Sequence, residues 1–340
     1  MAEFKNDEDF LFGASSEKEN EELAFLNKES KNQDGIYRPR PEDSADPRGT
    51  GYRAIIRFLR NVYKDGSGAG PAAIQKHVHY ADFKNYPELS GYYDCEKNTS
   101  KQTPCPLCTT YWKLNKSNNS ADVENSKLIK RSTKYYSYIM VIEDEQHPEL
   151  VGKILVYPYG TKILEKINAE KNGEVSEDGS KCNVFDFVTG KDFRLVIKIK
   201  KTPPPDGRPG PPVDMPNYDT STFLTSTPLK IFSEKSQKFV TPPVEIIDGK
   251  PAITDKKWQA KIKEVLMNRP DNVDLSNHAP KPLTDEQRAN VERIISILTG
   301  NEVVKAERVA KTSSERAPVN IVDDDIDSIF DFDDEDDDGI

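Results

Sequence analysis

Three cysteines constrain this chain more than any other feature. Cys95, Cys105 and Cys108 fall as C-x9-C-P-L-C. The C-P-L-C knuckle places two thiolates on one tight turn, the arrangement a tetrahedral zinc ion takes from close sequence neighbours. A fourth ligand is required, and H-V-H upstream offers His77 and His79 on one face of a strand. His79 is the nearer to the first cysteine, and Tyr80 after it can anchor the strand end. The expected set is therefore His79, Cys95, Cys105 and Cys108 around one structural zinc, with His77 as the alternative histidine. The competing readings are three unrelated reduced thiols or a redox C-x-x-C pair. Cys182 stands alone and reads as a small buried apolar group. Four cysteines in 340 residues do not make a disulfide scaffold.

The rest of the chain must supply a core around that site, and five segments read as strands: 50–59, 72–80, 134–144, 153–159 and 192–200. Each is rich in β-branched and aromatic residues and is bounded by Gly, Asn, Asp or Pro. Helices are expected at 160–171, where Ile163, Leu164 and Ile167 share a face, and near 255–267. A third is expected at 284–298, opened by the capping-box-like Thr284-Asp-Glu-Gln. The run KTPPPDGRPGPPVDMP (201–216) reads as an extended loop, since proline has no ladder donor. His147 and His278 read as plain surface residues. No stretch approaches 18 consecutive apolar residues, so no membrane partner is expected. The first thirty residues lack the basic and apolar regions of a secretory signal.

The net charge of −10 conceals a strong partition. Residues 321–340 carry ten Asp and one Glu with no cation, and residues 1–48 carry 13 acids against 7 bases. Residues 49–320 then hold 41 basic and 34 acidic residues, a net of +7. A basic middle between acidic ends is compatible with an anionic ligand, whatever the overall balance.

The segment SKLIKRSTKYYSYIMVI (126–142) puts Lys127, Lys130, Arg131 and Lys134 directly before Tyr135, Tyr136 and Tyr138, with no acid inside it. Cations neutralise phosphates and tyrosine rings offer flat faces for unstacked bases. The bland alternative is a strand whose aromatics are core and whose cations are a solvated edge. Tyr111 and Trp112 after the knuckle, Tyr157 and Tyr159 at a strand end, and the cations Arg53, Arg57 and Arg60 add density to a stacking, phosphate-binding groove.

At these residues the chain resembles the single-stranded-DNA-binding, helix-destabilising proteins of T-even-type bacteriophages. The resemblance runs from about Gly49 to Phe223, through GYRAIIRFL, the ordered His and Cys set, LIKRSTKYYSYIMVIED, GKILVYPYGTKILEKIN, FRLVIKIK and NYDTSTF, with an acidic tail. It implies a mainly β fold with some α: an OB-fold barrel with an inserted zinc-binding subdomain and a cleft between them for single-stranded DNA. Carried over by position, Lys130, Arg131, Tyr135 and Tyr136 belong to the DNA-contacting segment, with Tyr157, Tyr159 and Tyr218 at or near family aromatics. The expected DNA-binding set is completed by Lys134, Tyr138, Arg57 and Trp112.

The expected organisation is an N-terminal arm at 1–48, a DNA-binding core at 49–230 with the zinc subdomain at about 72–125, an accessory helical region at 231–300, and a disordered linker and acidic tail at 301–340. The tail residues Asp331, Phe332, Asp333 and Asp334 are the expected partner-binding group. The resemblance implies recruitment of phage replication and recombination proteins there (polymerase, helicase loader, recombinase mediator), with homo-association on DNA through the arm. The family's arm is basic and this one is acidic. The expected function is non-enzymatic coating of single strands in phage replication, recombination and repair, in the host bacterial cytoplasm. The alternatives are a zinc-containing RNA-binding or transcription factor and, further off, a zinc-dependent nuclease.

Overall fold

The computed structural model describes residues 35–83, 85–176, 179–203 and 211–300. The strands, in chain order, are β1 (Tyr52–Phe58), β2 (Ile74–Ala81), β3 (Gly91–Asp94), β4 (Arg131–Asp144), β5 (Ile154–Tyr159), β6 (Lys191–Thr202), β7 (Val213–Asn217), β8 (Thr222–Ser226), β9 (Ile231–Ser233), β10 (Lys238–Val240), β11 (Glu245–Ile247) and β12 (Lys250–Ala252). The helices are α1 (Pro106–Asn115), α2 (Ser120–Lys127), α3 (Thr161–Asn172), α4 (Lys256–Met267) and α5 (Asp285–Leu298). All five expected strands and three expected helices form. Thr284 and Gln287 close the capping box at α5, and Gly173 ends α3 in the left-handed conformation at φ 79°.

The main sheet is antiparallel, in the order β3-β2-β4-β1-β6-β7, with β5 added to β4 and β8 to β6. β4 organises it. One of its edges serves β2 over Arg131–Tyr136 and then β1 over Ile139–Asp144, while the other edge holds β5 over Tyr135–Met140. Tyr135 and Tyr136 therefore sit between two strands at the seam where β2 gives way to β1. No pairing among the described residues joins the sheet's ends, so the expected closed barrel is not completed by a hydrogen-bonded ring. The sheet nevertheless wraps one centre. The Phe58 ring lies 5.7–6.4 Å from Tyr157 and Tyr159 on β5, Phe193 on β6, Phe223 on β8 and Phe185 between α3 and β6.

The structure departs from the expected organisation in three places. Residues 35–48 are not a separate arm: Tyr37 is 1% exposed, its N–H donates to Val156 O at 2.8 Å, and its hydroxyl donates to Asp144 at 2.8 Å. Asp144 also accepts from Tyr52 Oη (2.5 Å) and from the backbone N–H groups of Gln146 and His147, so this buried carboxylate has its partners. The rest of the expected arm, 1–34, and the expected linker and tail at 301–340 lie outside the described residues. The proline-rich run is strand at both ends, as part of β6 and as β7. Pro216 is tolerated because β7 is an edge strand and pairs only with β6.

The expected accessory helical region, 231–300, packs into both cores. Ile262 and Leu266 of α4, with Val273 and Leu275, join the core that fills the sheet. Val291, Ile294 and Leu298 of α5, with Leu283, join a second core made with Phe83, Leu89, Leu107, Leu114, Ile129 and the three cysteines. Burying four such side chains stabilises the second core by about 1.5–3 kcal/mol each before chain entropy is subtracted. The chain between α4 and α5 thus straps one core to the other.

Candidate functional site

The insertion between β2 and β4 folds around the cysteine knuckle. Cys105 is the N-cap of α1 and Pro106 its first residue, where a missing N–H costs nothing, so Cys108 lands in the first helical turn beside Cys105. Cys95 follows β3, and its N–H donates to His77 O at 3.0 Å. Asn98 reinforces that junction by accepting from His77 N (2.8 Å) and donating to His77 O (2.7 Å). One donor atom from each of His79, Cys95, Cys105 and Cys108 lies within 4.8 Å of all the others, and all four residues are buried.

The spacing is that of a ligand shell. His79 Nε2 is 3.5 Å from Cys105 Sγ and 3.4 Å from Cys108 Sγ, and Cys95 Sγ is 3.6 Å from Cys108 Sγ. A tetrahedral ion with bonds of about 2.3 Å to sulfur and about 2.0–2.1 Å to nitrogen needs ligand atoms about 3.5–3.8 Å apart. The four residues fit a metal ion. Of the two candidate histidines, only His79 faces the thiols; the His77 ring meets Thr133 Oγ1 at 2.9 Å instead. Burial acts to lower the His79 pKa, but the sulfur partners Cys105 and Cys95 outweigh it and hold the imidazole up at about 9. Hydrogen bonds with Cys108 and Cys95 push the Cys105 thiol far below the ordinary range, while those with Cys105 and Cys95 push Cys108 up. The crowded sulfurs thus gather negative charge that draws a proton onto His79; a bound cation would take that proton's place, since metal ligands must be deprotonated.

The basic and aromatic segment begins where this site ends. Lys130 and Arg131 enter β4 half-exposed, and Tyr135 and Tyr136 follow, each half-buried. Tyr136 is stacked on His278, with ring centroids 4.7 Å apart and planes at 13°. Tyr135 stacks on Tyr159 at 5.8 Å and 25°. Trp112 on α1 is 47% exposed, its ring against Tyr111 at 5.1 Å and under Lys116 Nζ at 5.6 Å. Tyr218 is half-buried and packs against the main core.

Five residues expected in the interface are core instead. Arg57 is 1% exposed and bonds Asp192 Oδ1 (3.2 Å), Asp186 O (2.8 Å) and Thr227 O (3.0 Å). A Cβ on Gly190 would lie 2.6 Å from its Nη2, so the pocket is closed around the guanidinium. Tyr138 is buried, accepts from Leu275 N at 2.9 Å and lies under the Arg269 guanidinium at 4.2 Å. Tyr157 and Tyr159 are buried around Phe58. Lys134 is buried with its ammonium 5.0 Å from the Tyr92 ring. Arg57 lies on β1, Lys134 and Tyr138 on β4, and Tyr157 and Tyr159 on β5; each is covered by its neighbours and as folded offers little surface to a ligand. His278, expected as a plain surface residue, instead stacks on Tyr136, and no local pattern in NVDLSNHAP signals a stacking ring.

The stretch 49–238 matches the family described as gp32 DNA binding protein like. The single-stranded DNA-binding proteins of Enterobacteria phage T4 and Enterobacteria phage T2 are each 30% identical to this chain over 184 residues, 54% of this chain and 54% of theirs. The chain thus spans about half the length of these curated relatives in the matched region. No helix among the described residues is long and apolar enough to cross a membrane. With more than half of its residues inside the family match, this chain belongs to the gp32-like DNA-binding proteins.

Proposed function

We propose that this protein binds single-stranded DNA without sequence preference, using the half-exposed segment Lys130, Arg131, Tyr135 and Tyr136 with Trp112 and Tyr218. The observation that carries the reading is the adjacency of cations and ring faces at the start of β4, held between β2 and β5 and joined to the candidate metal centre. Cations on a groove supply affinity through counterion release, and rings accept any base. The names of the phage T4 and T2 relatives support the same ligand. The sheet wrapped on Phe58 supports an OB-type barrel, a fold suited to tracking a single strand.

In this reading the ion is zinc, bound by three sulfurs and one nitrogen in a structural role. Four protein donors leave no open position for an activated water, which favours a binding protein over a metal-dependent nuclease. The further roles follow from the resemblance: protection of single strands during phage replication, recombination and repair in the host cytoplasm, homo-association on DNA, and partner recruitment by Asp331, Phe332, Asp333 and Asp334 in a strongly acidic tail.

The deciding experiment is a salt titration of binding to oligo(dT) and to duplex of equal length. The expected result is tight, salt-dependent binding to the single strand and much weaker binding to duplex. Equal affinity for both would overturn the proposal, and a marked preference for RNA or for one sequence would favour the RNA-binding alternative.

A further inference from the structure

Resting on the single-strand reading above, we propose that His278 is a positioning residue of the base-stacking surface, the ring that backs Tyr136 and fixes its plane for a base. His278 lies outside the family-matched stretch 49–238 and in a segment that sequence reading leaves without a role.

The geometry is that of a built wall. The two rings lie parallel within 13° at 4.7 Å. His278 closes a short 3-10 turn, Leu275–His278, whose first N–H groups are held: Asp274 caps Ser276 N at 2.9 Å, and Leu275 N donates to Tyr138 Oη, two residues along β4 from Tyr136. Leu275 itself is 1% exposed in the main core. Beyond the turn, Lys281 N donates to Asp94 Oδ2 at 2.8 Å, and Asp94 is paired with Lys76 of β2 at 2.8 Å. His278 is thus pinned on one side to β4 and on the other to the β2–β3 ladder.

That anchoring decides between two roles. A ring on a loose loop would occupy the place of a base and yield it. A ring anchored on both sides stays, and acts by removing the rotational freedom of Tyr136 before a base arrives. Pre-set geometry raises affinity because less side-chain entropy is lost on binding. Aromatic pairs of this kind correspond to about two- to tenfold in an equilibrium.

The test measures oligo(dT) affinity of the full, metal-loaded chain at pH 8, where an ordinary imidazole is neutral, for wild type, His278→Ala, His278→Phe, Tyr136→Ala and the Tyr136→Ala/His278→Ala double variant. The expected result is an affinity about three- to tenfold weaker for His278→Ala with an unchanged salt slope, restoration by His278→Phe, and a double variant no weaker than Tyr136→Ala. Melting temperature is followed alongside, and restoration by phenylalanine separates ring stacking from a fault in folding. Equal or tighter binding by His278→Ala, or full additivity in the double variant, would overturn the inference. If Tyr136→Ala binds as wild type does, the interface reading fails with it; if only His278→Ala is silent, the inference fails alone.

Discussion

His79 Nδ1 donates to the Ile129 carbonyl at 2.8 Å, and Ile129 immediately precedes Lys130 and Arg131. The bond assigns a proton to Nδ1 and leaves Nε2 as the ring atom that faces the sulfurs. An ion held at Nε2 would orient the imidazole and, through the Nδ1 bond, the backbone that introduces the basic pair. Losing such an outer-shell bond typically weakens metal affinity by about 10–100-fold.

Stripping the metal with a strong chelator, or introducing Cys105→Ser, should lower the melting temperature and open residues 95–131 to protease. Metal affinity is folding energy in a site of this kind. His79→Ala should lose the metal while His77→Ala retains it. An unchanged melting temperature after verified metal removal would refute a structural ion.

Stacking and charge should separate in salt titrations. Tyr136→Ala should weaken oligo(dT) binding by about 1–3 kcal/mol with the slope against log salt preserved. Lys130→Ala or Arg131→Ala should shrink that slope by about 0.7 for each lost phosphate contact. If all three variants bind as wild type does, the segment is not the interface.

The buried group should behave as core. Phe58→Ala should cost about 3–5 kcal/mol in chemical denaturation, since five aromatic rings lose their common contact. Arg57→Met should cost about 3 kcal/mol because it leaves Asp192, 7% exposed at its side chain, with Lys230 as its one charged partner among the described residues. Normal stability with weakened DNA binding in Arg57→Met would return that residue to the interface.

His147 supplies a pH dependence unrelated to the metal. Its ring nitrogens meet Asp43 Oδ2 at 3.2 Å and Glu149 Oε1 at 3.3 Å, and the hydrogen bond to Asp43, helped by Asp144 and Glu149 and opposed by burial, raises its pKa above the usual 6.5. A raised folded pKa contributes stability that is complete below pH 6.5 and disappears as pH climbs through the folded value. Thermal melts of the metal-loaded protein from pH 6 to 9 should therefore show a decline that His147→Gln lacks. Parallel curves for the two proteins would show that the ion pairs contribute nothing.

Local chemistry determined much of this protein. The C-P-L-C turn, the β-branched strand runs and the Thr284 capping box act over a few residues, and each produced its element where the pattern placed it. The metal ligands were legible for the same reason, because thiols on one turn have few other uses. What a strand pattern cannot carry is which neighbours its two faces and two edges meet. Lys134, Tyr138, Tyr157 and Tyr159 match the composition of a stacking groove, yet the pairing of β4 with β2, β1 and β5 leaves all four buried. His79 was already favoured over His77 by its nearness to Cys95, and the fold removed the alternative by aiming one ring at the sulfurs and the other at Thr133. Only the fold brought His278 to Tyr136 across more than a hundred residues, because that contact depends on a strap anchored in two separate cores.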